Sequence, residues 1–369
     1  MKLTDPVSPR LPPFLVKVER TVDAVQRFAA ENGRAGSQHY ERWLETEHQL
    51  REQLRQLLNA GSSDEIALLK NTSEALSVVA YGLDWRAGDE IVISDQEFPS
   101  NRIVWESLAP LGIKLIQVDM GNSTSPEQAL IAALTPKSRL LSVSSVQYAS
   151  GLALDLELLG AECRRRGVIF CVDAIQSIGV KPFDVQVCQA DFVMADGHKW
   201  MLGPEGLAVF YCRREWIPRL ALCQFGWHMV EAVGDYDRKD WRPAASARRF
   251  ECGSPNMTGI HALHASLSLI EETGMTAIEA RILDNSRFLM DFFLEHREQH
   301  ALLTPPAAGR HAGIVTFRPR NETPQEIFER LTQSRVSCAL RGGGVRFSPH
   351  YYTPREQLAG VLALLEAPA

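Results

Sequence analysis

The sequence carries no excess of positive charge. Its formal net charge is -6, which argues against the basic surface that electrostatic nucleic-acid binding needs. No apolar run approaches the ~20 residues that span a bilayer. Met1–Pro13 holds prolines and charges in place of an apolar signal core. The seven cysteines, at 163, 171, 188, 212, 223, 252 and 338, show no C-x-x-C spacing, and their odd number suits reduced thiols better than a disulfide framework. These absences predict a soluble cytoplasmic protein. Two nucleotide fingerprints are missing as well. There is no G-x-x-x-x-G-K-[ST] and no G-x-G-x-x-G after a strand, so a P-loop is excluded and a dinucleotide site is disfavoured. Lysine is scarce: of 39 basic residues only those at 2, 17, 70, 114, 137, 181, 199 and 239 are lysines.

What is present is an ordinary globular balance over 369 residues, 45% hydrophobic and 23% charged, enough for a large and a small domain. Short apolar runs at Ile91–Ser94, Leu115–Asp119, Leu140–Val146, Val168–Asp173, Asp191–Ala195 and Leu207–Cys212 read as buried strands. Helix-like stretches such as Pro126–Leu134 and Leu156–Arg166 lie between them. This alternation predicts an α/β fold with a mostly parallel, doubly wound sheet, whose ligands sit beyond the carboxyl ends of the strands. Ahead of it, Tyr40, Trp43, Leu44, Leu50, Leu54, Leu57 and Leu58 share one helical face. From about Pro243 long helices (Gly259–Glu271, Ile278–His296) give way to a strand, helix, strand, helix series, which predicts a smaller α+β domain. The expected division is 15–245 and 246–369, with 1–14 packing on the small domain.

The richest segment runs from Val168 to Leu207. One apolar strand ends at Asp173. A second ends at Asp196-Gly197-His198-Lys199, ahead of the turn Gly203-Pro204-Glu205-Gly206. A carboxylate and a lysine at two strand ends suit pyridoxal phosphate, which needs an amine for a Schiff base and an acid for its pyridine nitrogen. Each residue alone has a plainer reading: Asp173 as a helix N-cap, Lys199 as a surface charge. Asn71-Thr72-Ser73-Glu74, opening a helix, could hold a phosphate on backbone N–H groups and hydroxyls, or could be a capping box.

The stretches NTSEAL, DQEFPSNRIVW, VDAIQSIG, ADGHKWMLGPEG, FECGSPN and VRFSPHYYT, in this order, resemble the class V aminotransferases of fold type I. That family includes cysteine desulfurases, selenocysteine lyases, isopenicillin N epimerases and kynureninases. The resemblance spans nearly the whole chain. It implies pyridoxal 5'-phosphate as cofactor, bonded to Lys199, with Asp173 on the pyridine nitrogen and Gln176 on the ring's phenolic oxygen. Thr72 and Ser73 would hold the phosphate, with His198 and Asp196 beside it. Asp196 stands where serine or threonine is commoner, and a second acid near a phosphate is expected to point elsewhere. Ser254 resembles a residue that reaches the phosphate from a neighbouring subunit, which implies a homodimer. Arg346 resembles the arginine that binds the substrate carboxylate.

Two departures bear on the reaction. The residue expected to stack on the ring is Phe98, where desulfurases usually place a histidine; a phenyl face supports a ring but shuttles no proton. Desulfurases also carry a nucleophilic cysteine on a mobile loop before the carboxylate arginine. Here Arg341-Gly342-Gly343-Gly344-Val345-Arg346 leaves no room for that loop, and Cys338 reads as a small buried hydrophobe. Val7-Ser8-Pro9-Arg10-Leu11-Pro12 resembles a segment that borders the substrate in relatives. The expectation is an enzyme acting at the α-carbon of an amino acid, with Lys199 as base. The reaction is transamination or β-elimination without a loop persulfide, with epimerization as an alternative. A catalytically weak binding or assembly protein on the same fold is the alternative of another class. No metal is expected.

Overall fold

The computed structural model describes residues 19–121 and 125–366. The segment Val7–Pro12 lies outside the described residues. The chain divides into two compact units.

The larger unit holds 19–145 and 154–275. It opens with α1 (Glu19–Ala35) and α2 (Tyr40–Leu57). Next come β1 (Ile66–Leu69), α3 (Thr72–Gly82), β2 (Glu90–Ser94), α4 (Ser100–Glu106) and β3 (Lys114–Val118). They are followed by α5 (Pro126–Ala133), β4 (Ser138–Ser144), α6 (Leu156–Arg166) and β5 (Ile169–Asp173). The unit closes with β6 (Phe192–Asp196), β7 (Ala208–Cys212) and α7 (Met257–Thr273). The seven strands order as β1-β7-β6-β5-β4-β2-β3. Only β7 runs antiparallel, to both β6 and β1, so β1 points the same way as β6. The carboxyl ends of β1, β2, β4, β5 and β6 therefore share one edge of the sheet. Strands β5, β6 and β7 are buried throughout, which is why they read as unbroken apolar runs.

Helix α2 differs from its expected amphipathic pattern. Trp43, Leu50 and Leu54 are buried, but Leu44 is 41% exposed, while Glu47 and Arg51 are buried. Arg51 donates to Glu47 on its own helix and, through both terminal nitrogens at 2.7 Å, to Glu251. Glu251 also accepts the Leu68 N–H at 2.9 Å. Paired charges of this kind can be buried where isolated ones cannot. Helix α7 packs on α1 and α2, which carries it into the larger unit. The division thus falls at 275/276, differing from the expected 245/246, because the apolar face of α7 has its partners in the first two helices.

The smaller unit holds 146–153 and the chain from 276 onward. It contains nearly all of α8 (Met275–Glu295), then β8 (His300–Leu302), β9 (Val315–Pro319), α9 (Pro324–Gln333), β10 (Ala339–Arg341), β11 (Gly344–Phe347) and α10 (Arg355–Glu366). Its antiparallel sheet orders as β10-β11-β9-β8. The core includes Phe293 stacked on Phe317 at 4.2 Å, and Phe347 beside Phe317.

Candidate active site

Strand β5 delivers Asp173 to the sheet edge, where it is 2% exposed and accepts the Ile175 N–H at 3.1 Å. Burial pushes its carboxyl up to about 7. The Ile175 N–H and the Lys199 cation pull it back, while Glu97 and Asp196 add to the rise. A buried carboxylate in this condition is stabilised by a cation placed against it.

Strand β6 delivers the next group. The turn after it is closed by Gly197 N–H to Leu207 O at 2.9 Å and Gly203 N–H to Gly197 O at 2.8 Å, which holds His198 and Lys199 between these anchors. Burial raises the Asp196 carboxyl, opposed by His198, Thr72 and Lys199. Burial lowers the His198 imidazole, opposed by Asp196, whose Oδ2 is 4.0 Å from His198 Nδ1. His198 is thus driven toward its neutral form.

Helix α3 starts at the same edge. Asn71 Oδ1 caps it by accepting the Glu74 N–H at 2.9 Å. Thr72, in its first turn, is 3% exposed, and Ser73 Oγ donates to Ser100 Oγ at 2.8 Å. Thr72 lies close enough to Asp196 to lower its carboxyl. Yet Thr72 Oγ1, Asp196 Oδ1 and His198 Nδ1 are buried and complete no hydrogen bond of acceptable geometry. Buried polar atoms of this kind are costly unless a ligand satisfies them. A phosphate at the α3 N-terminus would do so, aided by the helix dipole. Asp196 thus lies beside Thr72 and His198, with its carboxyl raised by burial. The residues present fit pyridoxal phosphate: orphaned atoms for its phosphate, a buried acid for its cationic nitrogen, and a lysine whose charge acts on both Asp173 and Asp196.

Two further side chains complete the edge. Phe98, after β2, is 42% exposed. Its neighbour Glu97 is buried and anchored: it accepts from Ser94 Oγ at 2.6 Å, Asn101 Nδ2 at 2.8 Å and Ser144 Oγ at 2.6 Å. This ties the β2–α4 turn that carries Phe98 to the end of β4. No local motif marks Glu97 for this role, because its partners are spread from Ser94 to Ser144. Gln176 is 3% exposed, and its Oε1 accepts the Trp200 indole N–H at 2.9 Å. Trp200, the chain neighbour of Lys199, has no sequence motif that assigns it this partner.

Ser254 is exposed and lines an open pocket of about 270 Å³ with Lys70, Glu74 and Gly206. Arg346 belongs to the smaller unit, on β11. It is 7% exposed and donates to Tyr148 O at 2.6 Å. Burial, with Arg341 nearby, pushes its guanidinium down to about 10, so an anion beside it would be stabilising. The segment before it is a hairpin in which Arg341 pairs with Gly344. Gly342 and Gly343 have φ of 57° and 73°, the left-handed pair that a two-residue turn requires. Cys338 precedes this hairpin, half-buried, with burial pushing its thiol up to about 11.

Apart from this edge, Glu47, His228 and Glu251 bring ligand-type atoms within 4.8 Å of one another. Arg51 already supplies the positive charge there. Among the described residues, no helix is long and apolar enough to cross a membrane.

Residues 16–358 match the aminotransferase class-V family. A probable cysteine desulfurase of Pyrococcus abyssi is 31% identical over 82% of this chain and 78% of its own. The apo structure of a cysteine desulfurase from Thermococcus onnurineus superposes with a TM-score of 0.84, at 26% identity, covering 94% of this chain and 90% of that one. A C-DES mutant with glycine covalently linked to its pyridoxal phosphate cofactor superposes at 0.86, at 24% identity, over 95% and 93%. With a matching fold, a site that fits the cofactor and a family match over most of its length, the chain belongs to the aminotransferase class-V family and is a pyridoxal phosphate-dependent enzyme.

Proposed function

We propose that this enzyme is a β-eliminating C–S lyase that takes cysteine, or an amino acid derived from it, and releases the sulfur as free sulfide. The observation that carries the reading is the β10–β11 hairpin. Its two-residue turn leads directly to Arg346 and holds no cysteine. Cys338, in front of it, is half-buried with a raised thiol, and the thiol is a far weaker nucleophile than the thiolate. The relatives' names point to cysteine as the substrate.

When bound, pyridoxal phosphate supplies an electron sink for negative charge at the substrate's α-carbon. Asp173 keeps the cofactor's ring nitrogen cationic by ion pairing in a buried setting. Thr72, Asp196 and His198 hold the phosphate, with Ser73 beside them, and Phe98 offers an aromatic face. Arg346 takes the α-carboxylate. Lys199 binds the cofactor and accepts the α-proton. The Cα–H bond breaks with its proton going to the lysine amine; the Cβ–S bond breaks with its electron pair going to sulfur. With one water, cysteine becomes pyruvate, ammonia and hydrogen sulfide. Phe98 moves no proton, so proton transfer falls to Lys199. Exposed Ser254 is available to a second copy of the chain, and the active unit in this reading is a homodimer.

The test is a product analysis with L-cysteine. Pyruvate and sulfide in equal amounts, with the cofactor recovered in its aldehyde form, support elimination. Alanine with protein-bound sulfur overturns it, as does a sulfur-containing keto acid with the cofactor left as its amine, or racemized cysteine alone.

A further inference from the structure

We propose that Trp200 is a positioning residue that sets the polarity of Gln176 toward the cofactor. The inference rests on the cofactor site and is independent of the sulfur chemistry. An indole nitrogen can only donate a hydrogen bond. Its bond to Gln176 at 2.9 Å therefore goes to the amide oxygen and leaves the amide NH2 as the free end. An amide without that lock can turn over and offer either a donor or an acceptor. The phenolic oxygen of pyridoxal phosphate carries negative charge and needs a donor; an acceptor there would repel it.

The lock is rigid. Trp200 and Gln176 are 2% and 3% exposed. The loop bearing Gln176 is pressed on the Trp200 backbone at Gly179, which has φ of 90° and where a Cβ would meet Trp200 O at 2.5 Å. Ser177 on the same loop is tied to Ser145 at 2.6 Å. Trp200 follows Lys199 directly in the chain. The segment that presents the lysine thus also fixes the amide on the neighbouring loop.

The experiment uses the cofactor-loaded enzyme without substrate and reads the pH midpoint of its visible absorbance. A ring oxygen that loses a donor holds the adjacent proton more tightly, so Trp200→Phe should move the midpoint up by about half to one pH unit. Trp200→His, similar in size to Phe but keeping an N–H, should restore much of the wild-type value. In a Gln176→Leu background, Trp200→Phe should add almost nothing, since the two residues act as one unit. An unchanged midpoint in Trp200→Phe, or a shift that persists in the Gln176→Leu background, overturns the proposal. Should Trp200→Phe fail to fold, Gln176→Glu reads the same point. With the indole on one oxygen, the other would face the phenolic oxygen as an acceptor and raise the midpoint further; no rise in that variant also overturns it.

Discussion

Replacing Asp173 by asparagine should stabilise the cofactor-free protein near neutral pH while weakening its hold on the cofactor. Asp173 is 2% exposed, and its carboxyl is pushed from 3.8 up to about 7. The raised value fixes the sign. Between about pH 4 and pH 7 the unfolded chain has released this proton and the folded chain has kept it, so stability falls as pH rises through that window. A shift of roughly three units at ~1.4 kcal/mol each is about 4 kcal/mol, fully lost above pH 7. Asparagine keeps the acceptor for the Ile175 N–H but never ionises. Allowing for the burial of an amide, the apo Asp173→Asn protein should gain about 2–4 kcal/mol at pH 8. With an unfolding entropy of ~2 cal/mol/K per residue, that is an increase in Tm of about 3–5 °C. At pH 4.5 the difference should nearly vanish. Thermal melts of apo wild type and Asp173→Asn across this range, with cofactor titrations alongside, measure both effects. A variant equally stable or less stable at pH 8, or a gap that does not narrow toward acid, would show that Asp173 carries no such buried-charge penalty.

Other outcomes follow from the same geometry. Arg346→Gln should lower kcat/KM about 10–100-fold through loss of a charge-assisted carboxylate contact, leaving the cofactor spectrum intact; steady-state kinetics with absorbance scans check both. Cys338→Ala should leave sulfide release unchanged, since a half-buried thiol raised to about 11 is a poor nucleophile near neutral pH; the same assay reads it. Gly344→Ala should cost about 1–3 kcal/mol in denaturant melts, because its Cβ would lie 2.3 Å from Phe317 O and force β10–β11 off β9.

Much of the candidate site is legible because its chemistry stands at the ends of apolar strands. Asp173, Asp196 and Lys199 each follow a run buried on both faces, and such runs announce themselves without partners. The tight turn before Arg346 is legible too, since adjacent glycines favour a two-residue turn locally, although the strand that enters it is not. What escaped was non-local. Strands β8 and β10, three residues each, carry too little pattern to separate from loops. Helix α1 has a polar composition, and its apolar residues gain meaning only against α7. Glu47 and Arg51 read as a solvated face because Glu251, which permits their burial, lies two hundred residues away. The place of α7 is non-local in the same way: it follows the change of pattern near Pro243, but its packing partners are α1 and α2. The setting of Asp196 beside Thr72 and His198 is not legible from charge alone, because it depends on burial that raises the carboxyl.

The intact-protein mass after turnover of L-cysteine, in the absence of any added thiol, separates direct sulfur expulsion from persulfide transfer. A lyase that expels sulfur directly leaves the chain unmodified while pyruvate and sulfide accumulate together. A mass gain of one sulfur atom, placed on Cys338 or any other cysteine and accompanied by alanine, would contradict it.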